Sequence, residues 1–499
     1  MPKKRLFQNV IIGVFSKIVI ILLGIVIPRI IMINYGSDTN GLIITITQIF
    51  TYIALLQSGI GQAAQNELYP YIEKKDRYGI SKIVSIARRY YRKISLVYAF
   101  FVMVISIVIP IIIKTNVNYQ TIFLYCLFEG LTTLVAFYFT STWIFFLNAN
   151  GKTYFTNLIS LLNVILCYGI KILLVCLRFN IALIQVGYFF ASLISLLIYS
   201  IYMKKNYCWI DYNAADKKEK LKDRNSYVLT EVAGVVFNST DMIILSIFFS
   251  AALSSVYSTY NMVFVALTSL IDSAYMSIKY LLGQSYNADI QTYIKCHDAF
   301  NSIFVGITTV FMCVSYILII PFVSLYTKGV NDINYIYRWL PLMFCLIQIL
   351  DRIRIVSGNL TGLAGYAKKV SKISLVEATL NVVLSFIFVH SWGINGVLLA
   401  TLSVLPIKVL YVNYLSDIVI LHRSIKKTLE IYGANLLIFA ITVFIAQYIK
   451  IEISSYFSFF ACGILLTVIF TFISTLLNCF VNKDLTKFWI DKLFITRLR

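Results

Sequence analysis

The chain alternates between long apolar blocks and short polar segments along almost its whole length. An α-helix needs about 20 mostly apolar residues to cross about 30 Å of hydrocarbon, and blocks of this length recur from end to end. Transmembrane β-strands are about ten residues long with alternating polarity, and the blocks have neither property. The pattern predicts an all-α integral membrane protein with about 14 transmembrane helices. The predicted spans are 8–33, 41–63, 94–114, 121–147, 153–177, 182–203, 227–250, 256–283, 297–325, 335–360, 371–390, 396–417, 429–449 and 455–480.

Composition supports a membrane protein and argues against a soluble domain, a metal site and a disulfide framework. The 499 residues are 59% hydrophobic and only 13% charged, against about 25% charged residues in soluble domains. No small-residue cleavage site follows the first apolar block, which is therefore predicted to be a retained span. Nine scattered cysteines and three isolated histidines show no metal-ligand or disulfide spacing. We predict no metal and no cofactor.

The distribution of basic residues predicts the orientation. Most of the 43 Lys and Arg fall in segments that alternate spans place on one side. The other side holds Lys114, Arg178, Lys328 and Lys450. The positive-inside rule then places both termini in the cytoplasm of a multi-pass cell (inner) membrane protein. The net charge of +21 is predicted to face anionic lipids of the inner leaflet and not nucleic acid.

One long cytoplasmic segment has an amphipathic pattern. In 73–93, Ile83, Ala87, Tyr90 and Ile94 recur at helical spacing and basic residues surround them. This pattern is typical of a helix that lies on the membrane surface.

A second polar segment, 204–226, divides the chain into two halves with a weak internal repeat. The loops 148–154 and 361–369 occupy the same place in each half, and Asn163 or Asn381 follows in the next span. Repeats of six spans with the same orientation are a transporter architecture, with the substrate path between the halves. The predicted division is an N-terminal lobe (1–203), a linker (204–226), a C-terminal lobe (227–417) and two last helices with a basic tail (418–499).

Polar side chains within the spans are the strongest functional signal. Ionised groups in hydrocarbon are costly and tend to face a cavity or one another. On spans 2, 7 and 8, polar residues follow one helical face, and span 1 carries two basic residues; together they predict a hydrated groove formed by spans 1, 2, 7 and 8. They are Lys17 and Arg29 in span 1; Gln48, Thr51, Ser58, Gln62 and Gln65 in span 2; Glu231, Gly234, Asn238 and Asp241 in span 7; and Asn261, Thr268, Asp272, Tyr275 and Lys279 in span 8.

Each of these residues also has a structural interpretation. A Gln or Asn can hold two helices together by a hydrogen bond, and Arg29 can extend toward the outer interface. Glu129, Lys171 and Glu377 are lone charges that could pair across helices. Asp351, Arg352 and Arg354 could line the inner mouth of a path or anchor span 10.

The sequence disfavours two other functions, nucleotide binding and catalysis by a membrane enzyme. Gly151-Lys152-Thr153 resembles the end of a nucleotide-binding loop, but Phe146 stands where that loop needs glycine. The outer loops are short and leave little room for the catalytic domain of a membrane enzyme such as a sugar polymerase. We therefore predict a transporter and not an enzyme.

Several short motifs, in order, resemble polysaccharide flippases over roughly residues 8–420. The first-half motifs are Pro28-Arg29, Tyr35-Gly36-Ser-Asp-Thr-Asn40-Gly41-Leu42, Gln48 and Ser58-Gly59-Ile60-Gly61-Gln62-Ala63. The second half offers Asn238-Ser-Thr-Asp241-Met-Ile-Ile-Leu245 and Ser255-Val-Tyr257-Ser-Thr-Tyr260-Asn261. The family is the Wzx-type branch for capsule, exopolysaccharide and O-antigen, in the superfamily that includes multidrug MATE transporters and the lipid II flippase.

The resemblance implies two six-helix lobes around a central cavity, with two further helices at the C-terminus. It implies a polyprenyl-pyrophosphate-linked glycan as cargo and a polysaccharide polymerase or export machinery as partner. In the lipid II flippase branch, basic residues of spans 1, 2 and 8 serve the pyrophosphate. Matching regions here hold Lys17, Arg29 and Lys279, but span 2 has no basic residue.

Two questions stay open at this stage. Coupling to an H⁺ or Na⁺ gradient would use Asp241, Asp272 or Glu129. A cation-coupled drug antiporter on the same fold is the alternative function. Such an antiporter would favour an acidic cavity, which Lys17 and Arg29 oppose.

Overall fold

A computed structural model describes residues 3–57, 60–216, 219, 240–288, 290–448 and 453–482. Over these residues the chain consists of helices and their connections, with no β-strand. The first-half helices are α1 (Lys3–Ala54), α2 (Ile60–Glu73), α3 (Arg77–Ile112), α4 (Tyr119–Val135), α5 (Ser141–Ala149), α6 (Thr153–Cys176) and α7 (Ile181–Asn206). They are followed by α8 (240–248), α9 (Ala251–Ala288), α10 (Ile290–Tyr326), α11 (Leu340–Arg352), α12 (Ile355–Leu363), α13 (Ala367–Asn413), α14 (Lys426–Ala446) and α15 (Tyr456–Val481).

Short irregular helical turns connect some of these helices. A 3₁₀ turn, Leu55–Gln57, follows α1. A π-helical turn, Ala136–Thr140, joins α4 to α5, and another, Tyr414–Ile420, follows α13. Because π turns insert an extra residue, they change the facing of the helix that continues beyond them.

Two of the longest helices each contain two membrane spans. Within the described residues, nine helical stretches are long and apolar enough to cross a membrane. One of them, Val19–Ala54, has 36 residues and would be about 54 Å long if straight, nearly twice the hydrocarbon thickness. The backbone turns instead at Gly36 (φ 85°), and α13 turns at Gly393 (φ 56°). Glycine adopts such positive φ values without steric cost, so each of these turns separates two consecutive spans.

The outward surface of the helices matches a lipid environment. The last helix, α15, exposes Phe457 (85%) and Phe480 (83%) to its surroundings. Large apolar side chains at such exposure are expected where the solvent is hydrocarbon, because water would penalise them. The prediction of an all-α, multi-pass membrane protein is confirmed.

The prediction that 73–93 contains a helix lying on the membrane surface is wrong. Residues from Arg77 onward belong to α3, which continues without a break into the third span. The apolar stripe packs on protein instead of lipid, since Ile83 and Ala87 are buried in one core cluster with Ala64 and Leu68 of α2. An amphipathic pattern does not distinguish these two apolar partners, because a membrane surface and a neighbouring helix select the same side chains.

The described chain forms two compact units, Met1–Ser255 and Val256–Arg499. Their division falls within α9, so α8 and the first turn of α9 belong to the first unit. The repeat in the sequence assigns these residues to the second half. The four-part division of the chain at 203, 226 and 417 remains a prediction.

In the second unit, α14 and α15 are attached by small and polar side chains. Asn435 of α14 and Asn478 of α15 donate amide hydrogen bonds to each other at 2.9 and 3.2 Å. A Cβ added at Gly306 of α10 would lie 2.9 Å from the Ser474 hydroxyl and 3.1 Å from the Asn478 amide nitrogen. Close approach through small residues, together with side-chain hydrogen bonds, is the usual way in which helices associate in lipid.

A buried ionic cluster fixes the connection between α13 and α14 to α10. The guanidinium of Arg423 donates two hydrogen bonds to Asp298, at 2.7 and 2.8 Å, and one to Asp417 at 2.8 Å. Lys427 lies 2.9 Å from the same Asp298 carboxylate, and Thr428 donates to Asp417 at 2.6 Å. Both carboxylates are almost fully buried. Desolvation lowers the pKa of Arg423, but the bonds to Asp298 and the charge of Asp417 outweigh it and leave the pKa raised.

We expect Arg423→Gln to destabilise the protein by about 3–5 kcal/mol, because it leaves two buried carboxylates with too little compensating charge. Thermal unfolding of the purified protein in a neutral detergent measures the effect. Lys426→Gln is the matched control, since the Lys426 side chain is 81% exposed and should change stability by less than about 0.5 kcal/mol. Equal unfolding temperatures for the two variants would contradict the structural role of this cluster.

Candidate functional site

The sequence-predicted site residues fall in both units, and the structure describes some of them. The side chains of Lys17, Gln62 and Lys279 lie outside the described residues, although their backbones belong to α1, α2 and α9. Glu231, Gly234 and Asn238 of the predicted span 7 also lie outside them. The roles assigned to these residues stay predictions.

In the first unit, the described members of the predicted polar face that belong to α1 are at least partly accessible. Arg29 and Gln48 are half-buried, and Thr51 is exposed. The helical pattern that predicted a shared face holds for the two residues of the second span, because Gln48 and Thr51 are three positions apart on one continuous stretch of α1.

Asp241 lies where α8 packs on the second half of α1. Its side chain is buried, with 5% exposure. The neighbouring Thr240 hydroxyl forms a hydrogen bond with the Tyr52 hydroxyl, and the Ser246 hydroxyl forms one with Thr45. Polar side chains of the seventh span therefore pair with polar side chains of the second within this unit.

The start of α9 makes a close backbone contact at the other end of the same helix segment. Asn40 donates an amide hydrogen bond to the Ser255 hydroxyl at 2.7 Å. A Cβ added at Gly41 would lie 1.6 Å from the carbonyl oxygen of Ala251, so only glycine permits this approach. The glycine that contributed to the family resemblance thus has a packing reason at this contact.

Glu129, a candidate for ion coupling, is half-buried and belongs to a polar cluster formed by α4, α6 and α7. Its carboxylate accepts a 2.6 Å hydrogen bond from the amide of Gln185, which has no exposed surface. The ammonium of Lys171, whose residue is 8% exposed, lies 5.1 Å from the centre of the Tyr188 ring and interacts electrostatically with Glu129. The lone charges of the sequence are brought together here, as costly buried charges require.

In the second unit, the predicted polar face of span 8 divides into two groups. Asn261 is half-buried, and Asp272 is accessible while accepting a 2.6 Å hydrogen bond from Arg352. Thr268 (5% exposed) and Tyr275 (8%) are buried, and Thr268 donates to the carbonyl of Phe264 one turn earlier in its own helix. Helical spacing predicted these residues on one face, but packing covers only some of them, as Tyr275 is buried in a cluster with Phe304 of α10 and Val356 of α12.

A second set of charged residues in this unit was only partly foreseen. Lys408 forms a 2.8 Å ion pair with Glu377, across the two spans that α13 contains. Glu377 is 2% exposed, and Asp351, near the end of α11, pairs with Arg354, the residue before α12. Lys408 was missed, although a basic residue inside an apolar block is a signal that it has a buried acidic partner.

Comparison with solved structures identifies the fold. No family model and no curated protein matches the sequence. A structure described as "Lipid II flippase MurJ, inward closed conformation" superposes with a TM-score of 0.67 at 16% identity, over 94% of this chain and 98% of that one. An inward-facing "multidrug resistance MATE family transporter of the MOP superfamily" gives 0.62 at 14% identity, over 79% and 93% of the two chains.

The chain has the fold of these transporters. A third structure, of the "MATE multidrug transporter DinF-BH" in a complex, has a TM-score of 0.59 at 15% identity and covers 83% of this chain and 95% of its own. The likeness extends over most of each protein, so it concerns the whole helical architecture and not a shared motif.

The Glu377–Lys408 pair provides a test of the buried charges. We expect Lys408→Met to cost about 3–5 kcal/mol, because it leaves the Glu377 carboxylate buried without its nearest cation. The double variant Glu377→Gln/Lys408→Met should recover more than about 1 kcal/mol of this loss. Unfolding temperatures of the two single variants and the double variant measure the coupling. Strictly additive effects would show that the two groups do not stabilise each other.

Proposed function

We propose that the protein is a flippase of the superfamily that contains MATE transporters and the lipid II flippase, resident in the cell membrane with both termini cytoplasmic. Its cargo in this proposal is a polyprenyl-pyrophosphate-linked oligosaccharide for capsule, exopolysaccharide or O-antigen synthesis. The observation that carries the proposal is the extent of likeness to the lipid II flippase structure, over 94% of this chain. The part of this chain outside that likeness is shorter than α14 and α15 together. The likeness therefore includes part of these two C-terminal helices.

The physical problem that such a protein solves is the polarity of the head group. Each hydroxyl costs about 4–8 kcal/mol on transfer to a medium that offers no hydrogen-bond partner, and the pyrophosphate adds charge. A polar cavity supplies partners, while the polyprenyl tail stays in lipid. Two lobes that rock about the bound head group then expose it to each side in turn.

The assignment of residues within this proposal follows the chemistry of the cargo. Lys17, Lys279 and Arg29 neutralise the phosphates, because basic side chains form strong charge-assisted hydrogen bonds with phosphate oxygens. Gln48, Gln62 and Asn261 offer both donors and acceptors to sugar hydroxyls. Asp272 serves the same cavity, and its contact with Arg352 sets the direction of its carboxylate.

Coupling to an H⁺ or Na⁺ gradient would require an acid that changes its charge during transport. The three candidates are Glu129, Asp241 and Asp272. Glu129 supports such a role because its half-buried carboxylate accepts the hydrogen bond from Gln185. Asp241 supports it because its side chain is buried and it follows the hydrogen-bonded Thr240. An acid shielded from water changes its protonation or its bound ion with a large change in local energy.

A cation-coupled drug antiporter is the second candidate. It is favoured by the likeness to structures described as multidrug transporters of the MATE family, and by the acids Glu129 and Asp241. Loss of such an antiporter would make cells sensitive to cationic dyes while their surface polysaccharide stays normal. Loss of a flippase would instead reduce surface polysaccharide and leave the sensitivity to cationic dyes unchanged.

We expect Lys17→Gln/Lys279→Gln to reduce polysaccharide export at least tenfold, because two phosphate contacts are worth well over about 1.4 kcal/mol. Export is measured as surface polysaccharide in cells that depend on the variant. Lys74→Gln/Lys204→Gln removes the same charge at exposed positions and should export normally. Unchanged export in the first variant, at equal membrane abundance, would remove this site assignment.

Under the predicted division of the chain, in which Ser255 belongs to the C-terminal lobe, alternating access predicts that the contact between α1 and the start of α9 opens during transport. In a cysteine-free background, an Asn40→Cys/Ser255→Cys disulfide should stop export, and a reductant should restore it. The side chains at these positions are within hydrogen-bond distance. The control is Asn381→Cys/Thr401→Cys, which links the two spans of α13 through positions bonded at 2.8 Å and should be tolerated. Full export with the first pair cross-linked would refute opening at this contact.

A further inference from the structure

A basic cavity outside the predicted cargo site is present in the first unit. It has a volume of about 610 Å³ and lies beside the first half of α3, next to the chain that follows α7. Its lining residues are Ser85, Arg88, Arg89, Arg92, Lys93, Leu96, Tyr138, Tyr212, Asn213 and Ala215. Four of these side chains are basic, and no Asp or Glu is among the described residues that line the cavity.

The basic groups are held in place by aromatic rings and carbonyl groups. The Arg88 guanidinium carbon lies 4.1 Å from the centre of the Tyr212 ring, and that of Arg92 lies 4.9 Å from the centre of the Tyr138 ring. Arg89 donates to the backbone carbonyls of Ala215 and Asp216, both at 2.7 Å. These contacts hold the basic side chains in position. None of them neutralises a positive charge, so the charge remains available to a ligand.

Tyr212, the ring under Arg88, is itself fixed from two sides. Its hydroxyl accepts a 3.1 Å hydrogen bond from the Trp143 indole, and its carbonyl accepts a 2.8 Å bond from the Ser85 hydroxyl. The Nε of Arg92 is buried and has no hydrogen-bond partner within the described part of the chain. A fixed cavity with an unsatisfied cationic donor is organised for an anion before any anion binds.

The chemistry of the cavity selects phosphate. Guanidinium groups donate hydrogen bonds in a planar fork that fits the oxygens of a phosphate. Room for a whole head group is available, because ligand cavities of about 300–1,000 Å³ accommodate molecules much larger than an inorganic ion.

An apolar stripe begins at the mouth of this cavity. Leu96, a lining residue, is 71% exposed, and exposed apolar residues continue along the same face of α3 toward its C-terminal end. They are Phe100 (65%), Met103 (50%), Ile107 (47%) and Ile111 (71%). Their spacing of three or four residues makes one continuous strip on a helix, along which a hydrocarbon chain can lie.

We infer that this cavity binds the phosphate head group of an anionic membrane lipid, whose tail lies along the stripe that starts at Leu96. The inference goes beyond the proposed cargo function and does not depend on it. The positive charge of the cavity accounts for the recognition of a phosphate, and the apolar stripe accounts for the binding of a lipid tail. The ligand chemistry is common to glycerophospholipids and to polyprenyl phosphates.

Native mass spectrometry of the full chain in neutral detergent tests the inference. Phosphatidylglycerol should bind at least tenfold more tightly than phosphatidylcholine, and added salt should weaken the binding. Arg88→Gln/Arg92→Gln should reduce the affinity for phosphatidylglycerol at least tenfold. Lys204→Gln/Lys205→Gln, which removes the same charge from exposed positions at the end of α7, should change it less than about twofold.

Two results would overturn the inference. One is equal loss of binding in both double variants, which would mean that general surface charge attracts the lipid. The other is displacement of phosphatidylglycerol by inorganic pyrophosphate at equal concentration, which would show that the tail contributes nothing. If Arg88→Gln/Arg92→Gln does not fold, Arg88→Lys/Arg92→Lys replaces it, and its affinity should fall at least threefold because the bidentate fork is lost.

Polyprenyl phosphate distinguishes the two sources of the ligand. If it displaces phosphatidylglycerol from the wild-type chain but not from the Lys204→Gln/Lys205→Gln control, general charge is responsible and the inference fails. Displacement from both identifies a carrier lipid as a ligand of this cavity. Retention of phosphatidylglycerol in both assigns the cavity to a glycerophospholipid.

Discussion

The structure depends on the cost of placing a charge or an unpaired polar group in hydrocarbon. Several ionic side chains that the described helices bury have an oppositely charged group nearby, as Glu377 has Lys408 and Lys171 has Glu129. The backbone meets the same requirement by remaining helical, because lipid offers no hydrogen bonds to an extended chain. Even the sharp reversals between spans are reduced to a single glycine at Gly36 and Gly393, which leaves few backbone groups without partners.

The same cost explains where the protein places its remaining charge. Basic residues that have no acidic partner among the described residues, such as Arg88 and Arg92, lie on aromatic rings at the end of a span, where an anion from the membrane can reach them. Two basic residues within spans lie near acids, as Lys408 pairs with Glu377 and Lys171 interacts with Glu129. Arg423, in the connection between α13 and α14, is paired with Asp298 and Asp417. Among these described residues, an acidic partner separates structural cations from those that remain available for ligands.

Opening of a transporter requires contacts that hold well and still separate. The contact between α1 and the residues 240–255 uses hydroxyl and amide pairs, such as Asn40 with Ser255, and a glycine that admits the opposite backbone. Such pairs can exchange their partners for water or for polar cargo at small net cost. The ionic cluster around Asp298 has no such freedom, since separation would leave buried charges without compensation. The proposed transport cycle needs both kinds of contact: pairs that separate, and an ionic cluster that keeps the connection between α13 and α14 attached to α10.

The sequence by itself determined the class of fold, because the length and apolar content of a block are sufficient to decide whether it crosses a membrane. It also identified most of the intramembrane charges, since a Glu129 or a Glu377 stands out in an apolar block. Only the tertiary structure decided which charges pair, because partners such as Glu377 and Lys408 are far apart along the chain. The amphipathic stripe of Ile83 and Ala87 shows the same limit: its period predicted a helix with one apolar face, and only packing decided that α2, and not lipid, covers that face.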